Sequence, residues 1–436
     1  MATSRAPLSP SYAATPYWWD DAPPVSPVEV PPWPGEADVL VIGAGYTGAS
    51  AALELARRGR TAVLIDAGAP GSEASSRNGG MAHPGTKGEL QDLLAAPGGA
   101  AQWAESVDAF ERLERLIADE QIDCGWVRTG HVELAVHRRH ARRLQVSAEA
   151  HQRLGEHAHF ADRDELSAEI GSSRFAGGLV VERSAALQPA ALLQGLLAAA
   201  RQAGAMLYGN VRALSVQRGA PGQTVDTTAG PIRVGEVVAA TGASSTGSPV
   251  LVPYLARRLL PVGSFVIATE PLGEELARSV SPRRRMFFDT RNFLNYWRLS
   301  SDGNRVLFGG RTSFASTTVD EARDRLYAAM LRVHPQLAGV RLERAWGGLV
   351  DLTMDRRPHL GRDPASGVVY AAGYSGTGVV LSVHLGAVIG RWLAGEPLTS
   401  AFADEGRFSP VPVAARRSPL LHMAGWWFRA RDELGL

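Results

Sequence analysis

Three glycines near the amino terminus have a spacing that suits phosphate binding. Gly43, Gly45 and Gly48 form the pattern G-x-G-x-x-G directly after the apolar run Val39–Ile42, and a helix with an apolar face is predicted to follow them. The first glycine permits a tight turn out of the strand, the second lets backbone approach a pyrophosphate, and the third lets the helix pack against the strand. The N–H groups at the helix N-terminus would then face the phosphates.

An acidic residue follows where such units bind a ribose. A second predicted buried strand, residues 61–65, ends at Asp66, whose carboxylate can accept hydrogen bonds from a ribose diol. The order of strand, turn, helix, strand and acid predicts an adenine dinucleotide, and a glycine-rich turn without a ligand is the alternative. The residues expected at the dinucleotide are Gly43, Ala44, Gly45, Tyr46, Thr47, Gly48, Asp66 and Ala67.

A second glycine turn lies near the other end of the chain. The stretch Gly373–Gly378 follows a predicted strand and opens an apolar helix at Val379. The dipole at this helix N-terminus would favour the negative charge of a reduced flavin, and a packing turn is the alternative. Nicotinamide enzymes have no evident need for two such turns, so the pair favours FAD over NAD. A buried strand that ends in Thr241 and Gly242 predicts a further contact to the dinucleotide.

The elements around these turns predict an α/β protein. Strands and helices alternate near the glycine turns, whereas residues 261–312 have the pattern of short antiparallel strands. We expect a Rossmann-like FAD-binding domain built from discontinuous segments and an α+β substrate domain with an antiparallel sheet. The predicted division is an aromatic and Pro-rich arm at 1–35, the FAD-binding segments 36–98, 175–260 and 343–400, the substrate-binding segments 99–174 and 261–342, and a tail at 401–436.

Composition excludes several classes of function. The 436 residues carry a net charge of +1, so there is no electrostatic argument for nucleic acid or a membrane surface. No run approaches the roughly 18 apolar residues of a membrane span. The one cysteine, Cys124, excludes an intrachain disulfide and favours the cytoplasm. The histidines form no convincing metal pattern, and Lys87 is the only lysine.

With these segments in hand, the chain resembles the FAD-dependent amine and amino-acid oxidoreductases of the D-amino-acid oxidase superfamily, and within it the branch that contains γ-glutamylputrescine oxidase. The motifs that carry the resemblance are spread over residues 17–395: PYWWD, ADVLVIGAGYTG, ASSRNGG, ALQPAALLQGL, VVAATGA, WGG with TMDRRPHLG, and GYSGTGVVLS.

The resemblance implies how FAD is bound. It places Val211 at the adenine and the glycine turn of the late segment, including Gly373 and Val379, at the flavin. The residues implied along the ribityl chain and isoalloxazine are Ser76, Arg77, Asn78, Gly79, Gly80 and Met81, with Gly376, Thr377 and Gly378 at the pyrimidine end.

Three departures from the family pattern refine the expectation. Gly348 stands where sarcosine oxidases carry a flavin-linked cysteine, so we expect non-covalent FAD, although some relatives use a histidine near the position of His83. The stretch Leu349–Asp351 lacks the arginine that holds a substrate carboxylate in glycine and D-amino-acid oxidases, and Asp351 would suit a cationic amine instead. Residues 295–310 lack the lysine that promotes reaction with oxygen, which leaves oxidase against dehydrogenase open.

The resemblance therefore implies oxidation of a C–N bond to an imine, which water hydrolyses to a carbonyl compound and an amine. The expected partners are a small-molecule amine and either O2 or another electron acceptor. The candidate catalytic residues are Tyr296, Arg298, His359 and Asp351, and the candidate substrate-binding residues are His83, Tyr296, Trp346 and Tyr374. The alternatives are a flavin-dependent 2-hydroxy-acid dehydrogenase or hydroxylase, and a dinucleotide-binding protein without catalysis.

Overall fold

A computed structural model of the chain describes residues 5–26, 31–219, 221–310, 317–404 and 406–412. Its strands are β1 Leu8–Ala13, β2 Glu36–Ile42, β3 Ala62–Ile65, β4 Met81–Ala82, β5 His131–Leu134, β6 Ala158–Ala161, β7 Gly178–Val181, β8 Ala185–Ala186, β9 Met206–Tyr208, β10 Ala213–Arg218, β11 Gln223–Thr227, β12 Ile232–Ala239, β13 Leu260–Thr269, β14 Met286–Asp289, β15 Asn295–Leu299, β16 Val306–Gly310, β17 Leu342–Leu352, β18 His359–Arg362 and β19 Val369–Ala372. Its helices are α1 Tyr46–Arg57, α2 Ala74–Arg77, α3 Leu90–Ala95, α4 Gly99–Asp119, α5 Arg138–Arg153, α6 Pro189–Gln202, α7 Pro253–Ala256, α8 Glu274–Val280, α9 Val319–Val333 and α10 Gly378–Leu393. Residues 413–436 of the predicted tail lie outside the described residues.

One sheet has the apolar strands of a doubly wound α/β unit. Its hydrogen-bonded order is β10-β11-β12-β2-β3-β9, and β19 joins β12 and β18. Strands β12, β2, β3, β9 and β19 run parallel, and Val39, Leu40 and Val41 are fully buried because the two faces of β2 are both covered. The predicted α/β class is confirmed.

A second sheet holds the strands that were predicted to form the substrate domain. Its order is β1-β17-β13-β16-β15-β14-β5-β7-β6, and most neighbours are antiparallel. Strands β7 and β17 fall in segments predicted to belong to the FAD-binding domain, yet both pair into this sheet. The long strand β17 pairs with β13, which is distant in sequence. Pairing between distant segments leaves no signal in the local sequence.

Helix α4 falls in a segment predicted for the substrate-binding domain, yet it packs with helices of the other predicted domain. Its apolar stripe, which includes Phe110 and Leu113, is buried in the same core as α1, α6 and α10. Spacing along a helix identifies the buried face but not the element that covers it. The segment 99–174 is therefore shared between the two sheets.

The amino-terminal arm lies along the body of the protein. Strand β1 pairs with β17, and Trp18 is buried with Trp346 in a small apolar cluster. Trp33 packs its ring against Tyr208 at the end of β9. Within the described ranges, every helix falls short of the length or apolarity that a bilayer crossing requires.

Helices α1 and α10 approach each other closely because glycines occupy the contact. A Cβ atom added at Gly386 would overlap the Thr47 carbonyl oxygen, and one added at Gly390 would lie 2.5 Å from Glu54 Cβ. The Ser50 hydroxyl donates a hydrogen bond to the Val383 carbonyl across the same contact, at 2.7 Å. Each helix begins at one of the two glycine turns, so this contact fixes the turns relative to each other.

The helix contact predicts a specific sensitivity to added volume. We expect Gly386→Ala to lower the free energy of unfolding by about 1–3 kcal/mol, because the new methyl group meets backbone atoms that cannot move aside. Gly35→Ala is the matched control, since open space surrounds that glycine. Urea denaturation of both variants measures the effect, and equal stability would contradict the proposed packing constraint.

Candidate active site

The first glycine turn leaves the sheet where several parallel strands end. Gly43 follows β2 with a φ of +106°, and a Cβ atom there would lie 2.5 Å from the Ala240 carbonyl oxygen. Ala240 N–H donates to the Ile42 carbonyl, so the ends of β2 and β12 are held side by side. Positive φ and close approach together require glycine. Thr241 and Gly242 come next in the chain and lie beside this turn, and their contact with the dinucleotide stays a prediction.

The N-terminus of α1 has the open donors that an anion needs. Gly45 caps the helix without a side-chain acceptor. The neighbouring N–H groups of Ala44 and Tyr46 donate to Asp66 and Ser75, while those of Gly45 and Thr47 have no protein acceptor in the described part of the chain. A Cβ atom on Gly48 would overlap the Gly43 carbonyl, so the turn and helix are in direct contact.

Asp66 holds the first glycine turn through hydrogen bonds to backbone N–H groups. Its two carboxylate oxygens accept hydrogen bonds from Ala44 N–H at 2.9 Å and Gly68 N–H at 3.0 Å. Burial raises its pKa, and these two backbone bonds oppose the rise. Val211 N–H donates to the Asp66 carbonyl at 2.8 Å, which places the predicted adenine contact beside it. Ala67 lies in the chain between Asp66 and its partner Gly68.

Three tryptophans hold the segment that was predicted to follow the flavin. Their indole N–H groups donate to three successive residues: Trp19 to Ser76 Oγ at 2.9 Å, Trp346 to the Arg77 carbonyl at 2.9 Å, and Trp18 to the Asn78 carbonyl at 2.8 Å. These hydrogen bonds hold residues 76–78 between the arm and β17, and Gly79, Gly80 and Met81 follow in the chain. Residues 76–81 are called the flavin segment below.

The side chains of this segment are also engaged with protein. Arg77 donates to the Gly347 carbonyl and lies over the Trp19 ring, and Asn78 Oδ1 accepts from Gly80 N–H. Ser76 Oγ is bonded to the Gly71 carbonyl. The hydroxyl that reaches the α1 N-terminus belongs to Ser75, which sequence reasoning missed. The Ser-Ser pair was the available signal, since neighbouring residues on a helix point in different directions.

The second glycine turn is held by Asp351. Its carboxylate accepts from Gly373 N–H at 2.7 Å, and its carbonyl accepts from Ser375 N–H at 3.0 Å. Burial raises the pKa of Asp351 to about 6, and the backbone bonds oppose that rise. Gly373 and Gly376 have φ values of +87° and +97°, which explains two of the turn's glycines. Asp351 therefore supports the turn from which Thr377, Gly378 and Val379 lead into α10.

The two glycine turns meet through side chains. The hydroxyl groups of Thr47, in the first turn of α1, and Tyr374, in the late turn, are hydrogen-bonded at 2.7 Å. Tyr374 is buried, and burial raises its pKa far above the ordinary tyrosine value. Tyr374 thus joins two helix N-termini, and its predicted role in substrate binding stays a prediction.

Tyr296 lies on the sheet face that covers the flavin segment. A Cβ atom on Gly79 would be 2.9 Å from its ring, and one on Gly309 would overlap it. Its hydroxyl is 3.3 Å from Ser264 Oγ. Glycine at both positions makes room for this ring, which remains half-buried, and its contact with a substrate stays a prediction.

His83 extends the same face. Its ring centroid lies 6.0 Å from that of Phe288, which pairs with Tyr296 across β14 and β15. His83 Nδ1 is 2.9 Å from the Pro84 carbonyl, and burial lowers the pKa of the imidazole. Because a carbonyl oxygen only accepts, Nδ1 carries the hydrogen and Nε2 keeps a lone pair.

The other candidates support structure or lie elsewhere. Arg298 is buried and donates to the carbonyls of Gly79, Leu187 and Leu299, so its guanidinium braces the flavin segment. Burial lowers its pKa to about 9. His359 stacks on Phe408 with centroids 4.1 Å apart. Trp346 is 1% exposed, which leaves it no open face for a substrate. The four catalytic candidates are not brought together.

The arrangement fits a flavin dinucleotide. Open N–H groups at α1, a carboxylate beside them, a clamped glycine segment and a second helix N-terminus form one continuous path along the edge of the parallel sheet. Adding side chains at Gly43 or Gly48 would obstruct the turn itself. In the described residues, no group of three or more His, Cys, Asp or Glu side chains could hold a metal ion.

Comparison with known proteins gives an independent assignment of the fold family. Residues 38–393 match the family described as FAD dependent oxidoreductase, DAO. The match covers both glycine turns and the strands of the two sheets from Asp38 onward, which leaves β1 and the first two residues of β2 outside it. It also includes the segment held by the three tryptophans.

Curated relatives match over nearly the whole chain. A protein named probable oxidoreductase OrdL from Rhizobium meliloti is 32% identical over 99% of this chain and 100% of its own length. Gamma-glutamylputrescine oxidoreductase from Escherichia coli is 31% identical over 92% of this chain and 93% of its own. The crystal structure of glycine oxidase from Geobacillus kaustophilus aligns with a TM-score of 0.71 at 23% identity, over 87% of this chain and 99% of that one, and shows the same fold.

The arm contact predicts that Trp18 stabilises the flavin segment. We expect Trp18→Phe to cost about 1–3 kcal/mol of unfolding free energy and to weaken FAD binding, because the part-buried Asn78 carbonyl loses its donor. Trp33→Phe is the control, since its indole also donates to a carbonyl but at an exposed site remote from this segment. Thermal unfolding and FAD titration measure both effects. Equal behaviour of the two variants would argue against the clamp.

The buried Asp351 predicts a pH dependence of stability. Its folded pKa of about 6 lies above the ordinary value of 3.8, so its contribution is greatest at low pH and is lost as pH rises through 6. Asp351→Asn should therefore gain stability relative to the natural protein by up to about 3 kcal/mol between pH 4 and pH 7. Urea denaturation across that range gives the difference, and a difference that does not vary with pH would refute the expectation.

Proposed function

This chain belongs to the FAD-dependent oxidoreductase family, and from that premise we propose that it oxidises the C–N bond of an amine or N-substituted amino acid. The hydrogen bond between Thr47 and Tyr374 carries the proposal, because it brings together two glycine turns that one flavin dinucleotide can use. The relative named gamma-glutamylputrescine oxidoreductase supports a γ-glutamyl amine as the substrate class, with a secondary amine as the neighbouring possibility.

We propose that FAD is held without a covalent bond. Gly348 lies against the Arg77 side chain and offers no thiol. Cys124 is buried in the helical core, and burial raises its pKa to about 11, so it would remain a thiol. This protonated single cysteine also supports the proposed cytoplasmic location, where thiols stay reduced. We also assign His83 no bond to the flavin, because its Nδ1 is taken by the Pro84 carbonyl and its Nε2 is the proton acceptor proposed below.

The protein's part in the reaction is to bind and orient the amine. When bound, FAD supplies the acceptor for the hydride that leaves the carbon next to nitrogen. Tyr296 covers the glycine segment and would confine the substrate there, with its hydroxyl held near Ser264. Water then hydrolyses the imine product to a carbonyl compound and an amine.

His83 would keep the amine in its reactive form. Hydride transfer needs the nitrogen lone pair, so a protonated amine must first lose a proton. The lowered pKa of His83 keeps the imidazole neutral near pH 7, and its Nε2 lone pair can accept that proton. A neutral ring beside the substrate also avoids repulsion of a cationic amine as it enters.

The substrate strand lacks a free cation for a carboxylate next to the reacting carbon. Among the described residues of β15 and β16, Arg298 is committed to three carbonyls. This supports an amine whose carboxylate, if present, is remote from the oxidised carbon. No lysine lies on these strands, so an electron acceptor other than O2 is part of the proposal.

The proposed reaction predicts loss of the oxidised flavin absorbance on mixing with an amine. Anaerobic stopped-flow measurements with γ-glutamyl amines, secondary amines, α-amino acids and 2-hydroxy acids identify the substrate class. Adding a redox dye or air to the reduced protein then identifies the electron acceptor. We expect γ-glutamyl or secondary amines to bleach the flavin. Bleaching by hydroxy acids alone would replace the amine proposal, and no bleaching by any class would leave only dinucleotide binding.

A further inference from the structure

A second residue with substrate-binding chemistry lies on the same sheet face as Tyr296. Phe288 pairs with Tyr296 on one side and with Glu133 on the other, so the three side chains form one row across β15, β14 and β5. The neighbours of Glu133, Val132 and Leu134, point into the apolar core on the opposite face. Two strand spacings separate the ends of the row, roughly 10 Å between backbones.

The Glu133 carboxylate differs from the acids around it. In the described part of the chain it makes no hydrogen bond and no ion pair, although it is half-buried. Asp289 is bonded to Arg291 and Asn295, and Glu89 is paired with Arg143. A half-buried carboxylate that no hydrogen bond or ion pair satisfies is unfavourable, so this position has a cost that the nearby charges of Lys87 and Arg143 offset only in part.

The charges around Glu133 also favour an additional cation at this position. Burial raises its pKa to about 7, the charges of Glu89 and Asp289 add to the rise, and Lys87 and Arg143 oppose it without cancelling it. The site therefore has room for one more positive charge. A protonated amine would supply that charge and the missing hydrogen-bond donors together.

We propose that Glu133 binds a second ammonium group of the substrate, one that is not oxidised. The inference rests on the proposed function, because it assumes that the reacting amine lies near Tyr296. It selects diamines and aminoacylated diamines over monoamines, whose far end would leave the carboxylate without a donor. Between the two ends the row contains Phe288, and the ring of the neutral His83 lies 6.0 Å from it; both side chains suit a methylene chain.

The first test compares Glu133→Gln with the natural flavoprotein on matched substrates. Straight-chain diamines of four to eight carbons are set against monoamines of the same lengths. We expect the variant to raise KM for the best diamine about 10- to 100-fold, with kcat nearly unchanged and the monoamines unaffected. Glu133→Asp should restore part of the affinity. The control is Glu236→Gln, which removes a surface partner of Arg362 far along the other sheet.

The second test follows binding against pH by calorimetry with the same diamines. Affinity of the natural protein should rise as pH increases through 7, because Glu133 gains its charge there, and the rise should vanish in Glu133→Gln. The other titratable groups facing this position are Lys87, Glu89, Arg143, Asp289, His83 and His131. All of them are retained in the variant, so a rise that persists would assign the effect to them and overturn the inference.

The two tests separate this inference from the proposed reaction. If no amine bleaches the flavin but diamines bind and depend on Glu133, the reaction is refuted and the ammonium site stands. If diamines are oxidised and Glu133→Gln changes diamine and monoamine kinetics equally, or neither, the reaction stands and the ammonium site is refuted.

Discussion

The close contact between α1 and α10 is the constraint on which the site depends. Gly386 and Gly390 let the helix backbones approach, and the bond from Thr47 to Tyr374 joins the two turns at the helix beginnings. Two helix N-termini, far apart in sequence, thereby face one path along the sheet edge. Larger residues at the contact would separate the helices, and a dinucleotide could then engage one turn but not both.

Polar residues that suggest catalysis are used here to hold loops. Arg298 satisfies three carbonyls beneath the flavin segment, and Asp351 accepts the N–H that begins the late turn. Both segments carry backbone conformations that expose N–H and C=O groups away from regular structure, and each such buried group needs a partner. A buried charge that serves these groups stabilises the shape of the binding path, and the hydride acceptor in the proposed reaction would come from FAD.

Local sequence patterns were sufficient to predict the turns, and not their surroundings. The spacing of Gly43 and Gly48 and the acid at Asp66 describe one continuous unit, so strand, turn and helix could be predicted together. The partners of the arm could not, because Trp18 contacts Asn78 through tertiary packing alone. The row from Glu133 to Tyr296 also depends on strand register between distant segments, for which one sequence has no signal.

The distribution of charge over the substrate face suggests how specificity and chemistry are separated. Near Tyr296 the face is aromatic, the guanidinium of Arg298 is hydrogen-bonded to three carbonyls, and His83 is neutral. Low polarity there favours the uncharged amine that hydride transfer requires. At the far end lies the Glu133 carboxylate, with Glu89 and Asp289 near it. A substrate with two amines would therefore meet opposite environments at its two ends, one that retains a proton and one that removes it, and this difference would orient the molecule before reaction.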